Sequence, residues 1–206
     1  MGKRRALFTS LLIIFVILFF DQLLKFYIKT NYAIGDQHSV IGNWFNIHFI
    51  ENEGMAFGWK LKNSKLFLSI FRLIAATGIA WYLVRLWDKK PKPGLIISIS
   101  LIFAGAMGNI IDSAFYGLIF SESYFGGPIA EFMPEEGGYA GFLYGKVVDM
   151  FYFPLFSGTW PSWMPFGLGG NDFIFFRPIF NLADASITTG VLILIVFQKR
   201  LLHHHS

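Results

Sequence analysis

The sequence has no cysteine and little charge. None of its 206 residues is Cys, and only 15% are Asp, Glu, Lys or Arg. The first absence excludes disulfide scaffolds, thiolate metal sites and cysteine nucleophiles. The second excludes a water-soluble globule, in which roughly a quarter of residues are charged. Disorder is excluded as well, because 54% of the residues are hydrophobic and 25 are Phe, far more apolar surface than a disordered chain carries. What is abundant is long apolar runs. A bilayer core needs roughly 20 apolar residues as helix, and four stretches supply them, at about 7–27, 66–87, 95–116 and 182–202. The first is too long for a signal-peptide core and no small-residue cleavage site follows it. We read a single integral membrane domain, 1–206, with two long loops, 28–65 and 117–181. The first loop contains WFNIHFI, whose alternation fits short strands. The second is too broken by Gly, Pro and aromatics to span again.

The net charge of +4 is a topology signal and not a nucleic-acid footprint. Lys3, Arg4 and Arg5 precede the first span, Arg85, Lys89, Lys90 and Lys92 join the second to the third, and Lys199 and Arg200 close the fourth. Basic loops stay cytoplasmic, so both termini are expected there. Of 13 acidic residues only Asp88 lies among these basic groups. Lys60, Lys62 and Lys65, at the outer mouth of the second span, run against this orientation but are outnumbered.

Ionisable groups inside a membrane are costly and mark function by default. At 1.5 Å rise per residue, Asp21, Arg72, Asn109 and Asp184 each lie roughly 20–22 Å from the cytoplasmic ends of their spans. In a core about 30 Å thick, all four sit just beneath the outer surface. Asp21 and Lys25 are i,i+4, a helical ion-pair spacing. Asn109 and Asp112 are i,i+3, with Gly105 and Gly108 nearby to let helices approach. Asn181 and Asp184 are also i,i+3.

Each position has a structural reading beside a functional one. Asp21 and Lys25 form an interfacial ion pair or face substrate. Arg72 serves as a counter-ion to one of the carboxylates. Asn181 is an N-cap with Asp184 at N3, or both belong to a site. Asp149, in GKVVDMFYFP, is a turn residue or a site residue. His38 and His48 lack metal-ligand spacing, so no metal or other cofactor is expected. His203–His205 read as a tag remnant or polar tail.

The polar positions follow a series: DQLLK at Asp21–Lys25, NEGMAFG at Asn52–Gly58, GNIID at Gly108–Asp112, VVDM at Val147–Met150 and FNLADASI at Phe180–Ile187. Five motifs in this order on four spans resemble bacterial lipoprotein signal peptidase, signal peptidase II, over nearly the whole chain. The resemblance implies an all-α membrane protein of four transmembrane helices with a small periplasmic β-rich cradle or cap. It implies an aspartic endopeptidase of the bacterial inner membrane that removes signal peptides from diacylated prolipoproteins, cutting before the lipidated Cys. The partners would be those substrates and membrane lipids, with no nucleic acid, and a monomer is expected. The catalytic pair maps onto Asp149 and Asp184. Asp21, Lys25, Asn52, Gly54, Asn109, Asp112 and Asn181 match positions that shape the site or hold substrate, and Arg72 joins them on depth.

Two departures stand out. The family reads GNxxDR, whereas Ser113 stands here in place of Arg, and Arg72 or Arg177 are the candidates to replace it. The gap from Asp112 to Asp149 is also longer than in the family, and residues 121–142 and 157–172 read as an enlarged outer cap, with Trp160 and Trp163 at the headgroup layer. Within the pair, a helix N-terminus favours charge on Asp184 and apolar neighbours favour a neutral Asp149. Asp184 is therefore expected to start as base and Asp149 as acid. The competing readings are a small ion- or proton-coupled transporter, which would spread polar groups across the membrane depth, and a non-catalytic membrane assembly protein, which would tolerate Asp184→Asn.

Overall fold

The computed structural model describes residues 1–53 and 64–202. Gly54, Lys60, Lys62 and His203–His205, singled out above, lie outside the described residues. The elements run α1 (Lys3–Asn31), β1 (Gln37–Ile41), β2 (Phe45–Asn52), α2 (Ser64–Trp87), α3 (Pro93–Ile111), a π-helical turn (Asp112–Tyr116), α4 (Gly117–Ile119), β3 (Val147–Tyr152), β4 (Phe156–Thr159), β5 (Asp172–Phe175), β6 (Ile179–Phe180) and α5 (Leu182–Leu202). Four helical stretches are long and apolar enough to cross a membrane: Lys3–Asn31, Lys65–Trp87, Pro93–Ile119 and Leu182–Leu201. Large apolar side chains such as Phe8, Phe15, Phe67, Ile74 and Val196 stand exposed on them, as a lipid-facing surface requires.

The helices alternate in direction. The Met1 ammonium donates to the Pro91 carbonyl, Lys3 pairs with Asp88, and Lys92 donates to the Arg200 carbonyl. Both chain ends and the α2–α3 loop thus meet at one end, over a core of Ala6, Leu83, Leu86, Leu95, Ile96 and Ile99. At the other end a second core of Ile28, Phe49, Tyr116, Phe120, Val148 and Met150 joins helices to sheet.

Small residues let α3 and α5 touch. A Cβ on Gly105 would lie 2.2 Å from the Ala183 carbonyl oxygen, and one on Gly190 2.6 Å from that of Ser98. In a bilayer, where apolar side chains gain little by leaving lipid, such close backbone approach is a main source of helix association.

The β-rich part expected beside the four helices is present. Two antiparallel sheets are present, one of four strands in the order β1-β2-β3-β6 and one formed by β4 and β5. The WFNIHFI segment lies largely on β2, as its alternation implies. Asp149 is on β3 opposite Ile50, so the turn reading is corrected: its flanking Val, Met, Phe and Tyr are strand formers. Between Ile47 and Ile50 β2 carries one residue more than β3, a bulge of the kind that re-aims side chains. Beyond it, Asn52 comes opposite Val147. The 157–172 segment forms the β4–β5 hairpin, where Trp160 packs on Phe173 and Trp163 and Phe166 stand exposed.

Candidate active site

The expected polar layer divides into two connected groups. The first is a buried ion cluster. Lys25 reaches Asp21 at 2.9 Å, Asp112 at 2.8 Å and Asn109 Oδ1 at 3.1 Å. An ammonium has three donors, and all three are used. Asp21, Lys25 and Asp112 are fully buried, so the interfacial reading of the Asp21–Lys25 pair is corrected. The carboxylates are satisfied in turn. Asp21 accepts the backbone N–H of Ala183 at 2.9 Å, Asp112 that of Val148 at 3.3 Å, and Gln22 donates to both side chains. One cluster therefore ties α1 to α3, β3 and the start of α5. Removing one partner from such a buried set costs about 3–5 kcal/mol, because a charge is left uncompensated.

Close packing and a π-helical turn make this possible. A Cβ on Gly108 would lie 2.6 Å from Asp21 Oδ2. The helix underwinds at Asp112–Tyr116 into the i→i+5 pattern common at functional sites. The Ser113 carbonyl then accepts from the Gly145 N–H at 2.8 Å, where any Cβ would come 2.1 Å from the Asp112 carbonyl.

The second group joins Asp149 to Asp184. Asn181 precedes the first residue of α5, and its Oδ1 accepts the Asp184 N–H at 2.9 Å, the N-cap geometry expected. Its Nδ2 faces Asp149 Oδ1 at 2.7 Å, with the Val148 carbonyl and Asn109 Oδ1 each at 3.2 Å. Asn109 Nδ2 donates to Asp184 Oδ1 at 2.7 Å. Asn181 thus both caps α5 and bonds Asp149. Asn52, the first residue of NEGMAFG, hydrogen-bonds Asp149.

The carboxylates differ in surroundings. Asp149 is 1% exposed, and burial, reinforced by the negative charge of Asp184, pushes its pKa up to about 7. Asp184 is half-buried at the N-terminus of α5 and lines an apolar groove of about 450 Å³ with Phe176, Pro178, Phe180, Ala185, Thr188 and Thr189. A buried acid that holds its proton to neutrality beside a more accessible carboxylate is the arrangement that activates a water and polarises a carbonyl.

With this geometry in view, comparison with known proteins is decisive. The family model described as signal peptidase (SPase) II matches residues 13–199. The chain belongs to the signal peptidase II family. Lipoprotein signal peptidase of Porphyromonas gingivalis is 49% identical over 189 residues, covering 91% of this chain and 81% of that protein. Those of Amoebophilus asiaticus and Staphylococcus aureus are 38% and 30% identical, covering 87% and 95% of this chain and 72% and 91% of theirs. A solved structure described as a bacterial membrane enzyme, determined by the in meso method at 2.3 Å, superposes with a TM-score of 0.63 at 28% identity. It covers 93% of this chain and 88% of that one. This signal peptidase II is a peptidase and a multi-pass membrane protein.

Several expectations change. Arg72 makes no direct ion pair among the described residues; its Nη1 donates to the Ser113 hydroxyl at 3.3 Å, and the charges of Asp184, Asp112 and Asp149 reach it without contact, so its counter-ion role is one at a distance. Arg177 is exposed. Sequence reasoning also missed Gln22, although it stands inside DQLLK, and a second buried pair. Lys29 bonds Glu51 and the Ser123 hydroxyl beneath the rings of Phe120 and Tyr139. The signal for Lys29 was there: it follows Lys25 by four residues, on the same helix face.

Proposed function

We propose that this signal peptidase II cleaves diacylated prolipoproteins before the lipidated Cys, with Asp149 and Asp184 as the catalytic pair. The observation that carries this is the asparagine bridge, Asp184–Asn109–Asn181–Asp149, which holds two carboxylates of unlike exposure in one site. Asp184 begins ionised, at a helix N-terminus that favours its charge, and takes a proton from water. Asp149 begins protonated and donates to the scissile carbonyl oxygen. The attacking oxygen adds to the carbonyl carbon to give a gem-diol, the Asp184 proton passes to the leaving amine as the C–N bond breaks, and one diol hydroxyl returns its proton to Asp149 as the carboxylic acid forms. The pair is described by its joint titration, since the charge of Asp184 raises the affinity of Asp149 for a proton.

The groove beside Asp184 is apolar, which suits a lipid-bearing residue brought in from the bilayer. The signal for orientation is the basic end formed by the N-terminus, the α2–α3 loop and the end of α5. It belongs in the cytoplasm, placing the pair and the sheets on the periplasmic side of the inner membrane. Asn52, Asn109 and Asn181 align the carboxylates, while Asp21, Lys25 and Asp112 hold the helices that carry them. The β4–β5 hairpin, with Trp163 and Phe166 exposed, lies at the headgroup layer.

The test is cleavage of a diacylated prolipoprotein peptide by wild type, Asp149→Asn and Asp184→Asn. Each variant is expected to lose at least about 10³-fold in kcat, as when one member of a catalytic pair is removed. Full activity in either removes the proposed pair.

A further inference from the structure

We propose that Arg72 is a substrate-binding residue, donating its guanidinium to a backbone carbonyl of the bound peptide beside Asp184. The inference rests on the peptidase reading above and adds to it a group on α2.

The site needs a cation that is free to bind, and Lys25 is not free. Its three donors are taken by Asp21, Asp112 and Asn109. The negative charges of Asp184, Asp112 and Asp149 act on Arg72, yet it ion-pairs with no carboxylate among the described residues. One of its five N–H donors is placed, on the Ser113 hydroxyl. That hydroxyl is itself fixed, donating to the Asn109 carbonyl at 2.9 Å. Among the described residues the guanidinium is therefore anchored at one corner, with its other donors on no partner.

A guanidinium that only neutralised the carboxylates would close on one of them, gaining a bidentate pair. Held off them by Ser113, it stays available to an acceptor that arrives with substrate. An extended peptide presents such acceptors every second residue along one edge. A carbonyl bound by Arg72 would fix the register of that peptide against Asp184, and the positive charge would favour the negative charge that develops on the attacked carbonyl.

The experiment compares wild type, Arg72→Lys and Arg72→Gln on a diacylated prolipoprotein peptide in nanodiscs. It reads kcat, KM, the pH profile and thermal unfolding. Arg72→Gln is expected to raise KM and lower kcat/KM about 10- to 100-fold, the range of a hydrogen bond to a charged group. It should also move the upper pH limb upward, because a positive charge near the pair is lost. Arg72→Lys is expected to keep the limb near its wild-type position while KM stays raised, since lysine lacks the planar fork. The proposal is overturned if Arg72→Gln keeps kcat/KM within threefold of wild type. It is also overturned if both variants lose activity only in step with their unfolding temperature and with an unmoved limb, the mark of a mere α2–α3 tie. Wild-type cleavage with an inactive Asp184→Asn leaves the peptidase reading standing in either case, so the two failures are distinguishable.

Discussion

Asn181 is where the proposed chemistry is most exposed to test. Its amide nitrogen is 2.7 Å from Asp149 Oδ1 and its oxygen caps the Asp184 N–H. A hydrogen bond to a carboxylate contributes about 1.5–3 kcal/mol, and it favours the ionised form. One pKa unit corresponds to about 1.36 kcal/mol, so Asn181→Ala should raise the Asp149 value by about 1–2 units. Starting from about 7, it would titrate near about 8–9. Asp149 is the acid in the mechanism above, and activity is lost as it deprotonates. The sign is therefore upward: the high-pH limb of kcat/KM should move from about 7 by about 1–2 units. The alanine variant also loses the helix cap, at about 1 kcal/mol. Asn181→Asp separates the two effects, because it keeps a capping oxygen while replacing the donor by a second negative charge. It should move the limb at least as far. The assay is a pH series of initial rates on a diacylated peptide, with thermal unfolding as the control for folding. A limb that stays in place or moves down in a folded variant would refute the assignment of Asp149 as the acid.

Two further predictions concern stability and packing. Asp149 has a folded value of about 7 against an ordinary 3.8, so its proton contributes stability that is fully present below about pH 4 and is lost as pH rises through 7. Asp149→Asn should therefore unfold at a higher temperature than wild type by a margin that grows from pH 4.5 to pH 7 and then levels off; a margin independent of pH would contradict the buried-acid description. Gly105→Ala would press a methyl against the Ala183 carbonyl and part α3 from α5, costing about 1–3 kcal/mol and at least tenfold in activity. Gly78→Ala, where nothing lies within 4 Å, is the control and should lower neither, since alanine is the better helix former there.

The membrane architecture was legible because its causes are local. Apolar length against bilayer thickness decides where a span lies, and that can be counted along the chain. So can depth: Asp21, Asn109 and Asp184 were placed in one layer by residue counting, and hydrogen bonds do join that layer. Asn181 as cap and Gly105 and Gly108 as points of close approach were readable for the same reason. The β component was harder to see. WFNIHFI alternates cleanly, whereas VVDM is buried on both faces and resembles a turn or a short apolar run.

What the chain could not reveal is which polar groups at one depth belong together. Depth is set by position along a helix, but partnership is set by rotation about it and by neighbours nearly a hundred residues away. Lys25 meets Asp112 and Asn109, and Arg72 meets Ser113, only because α1, α2 and α3 are turned and spaced as they are. The sequence by itself determined four apolar spans and a short list of buried polar residues, through bilayer thickness and the placement of charge. The tertiary structure alone decided that Asp21 and Asp112 are spent on Lys25 while Asp149 and Asp184 are not, because saturating an ammonium takes three acceptors delivered from two different helices.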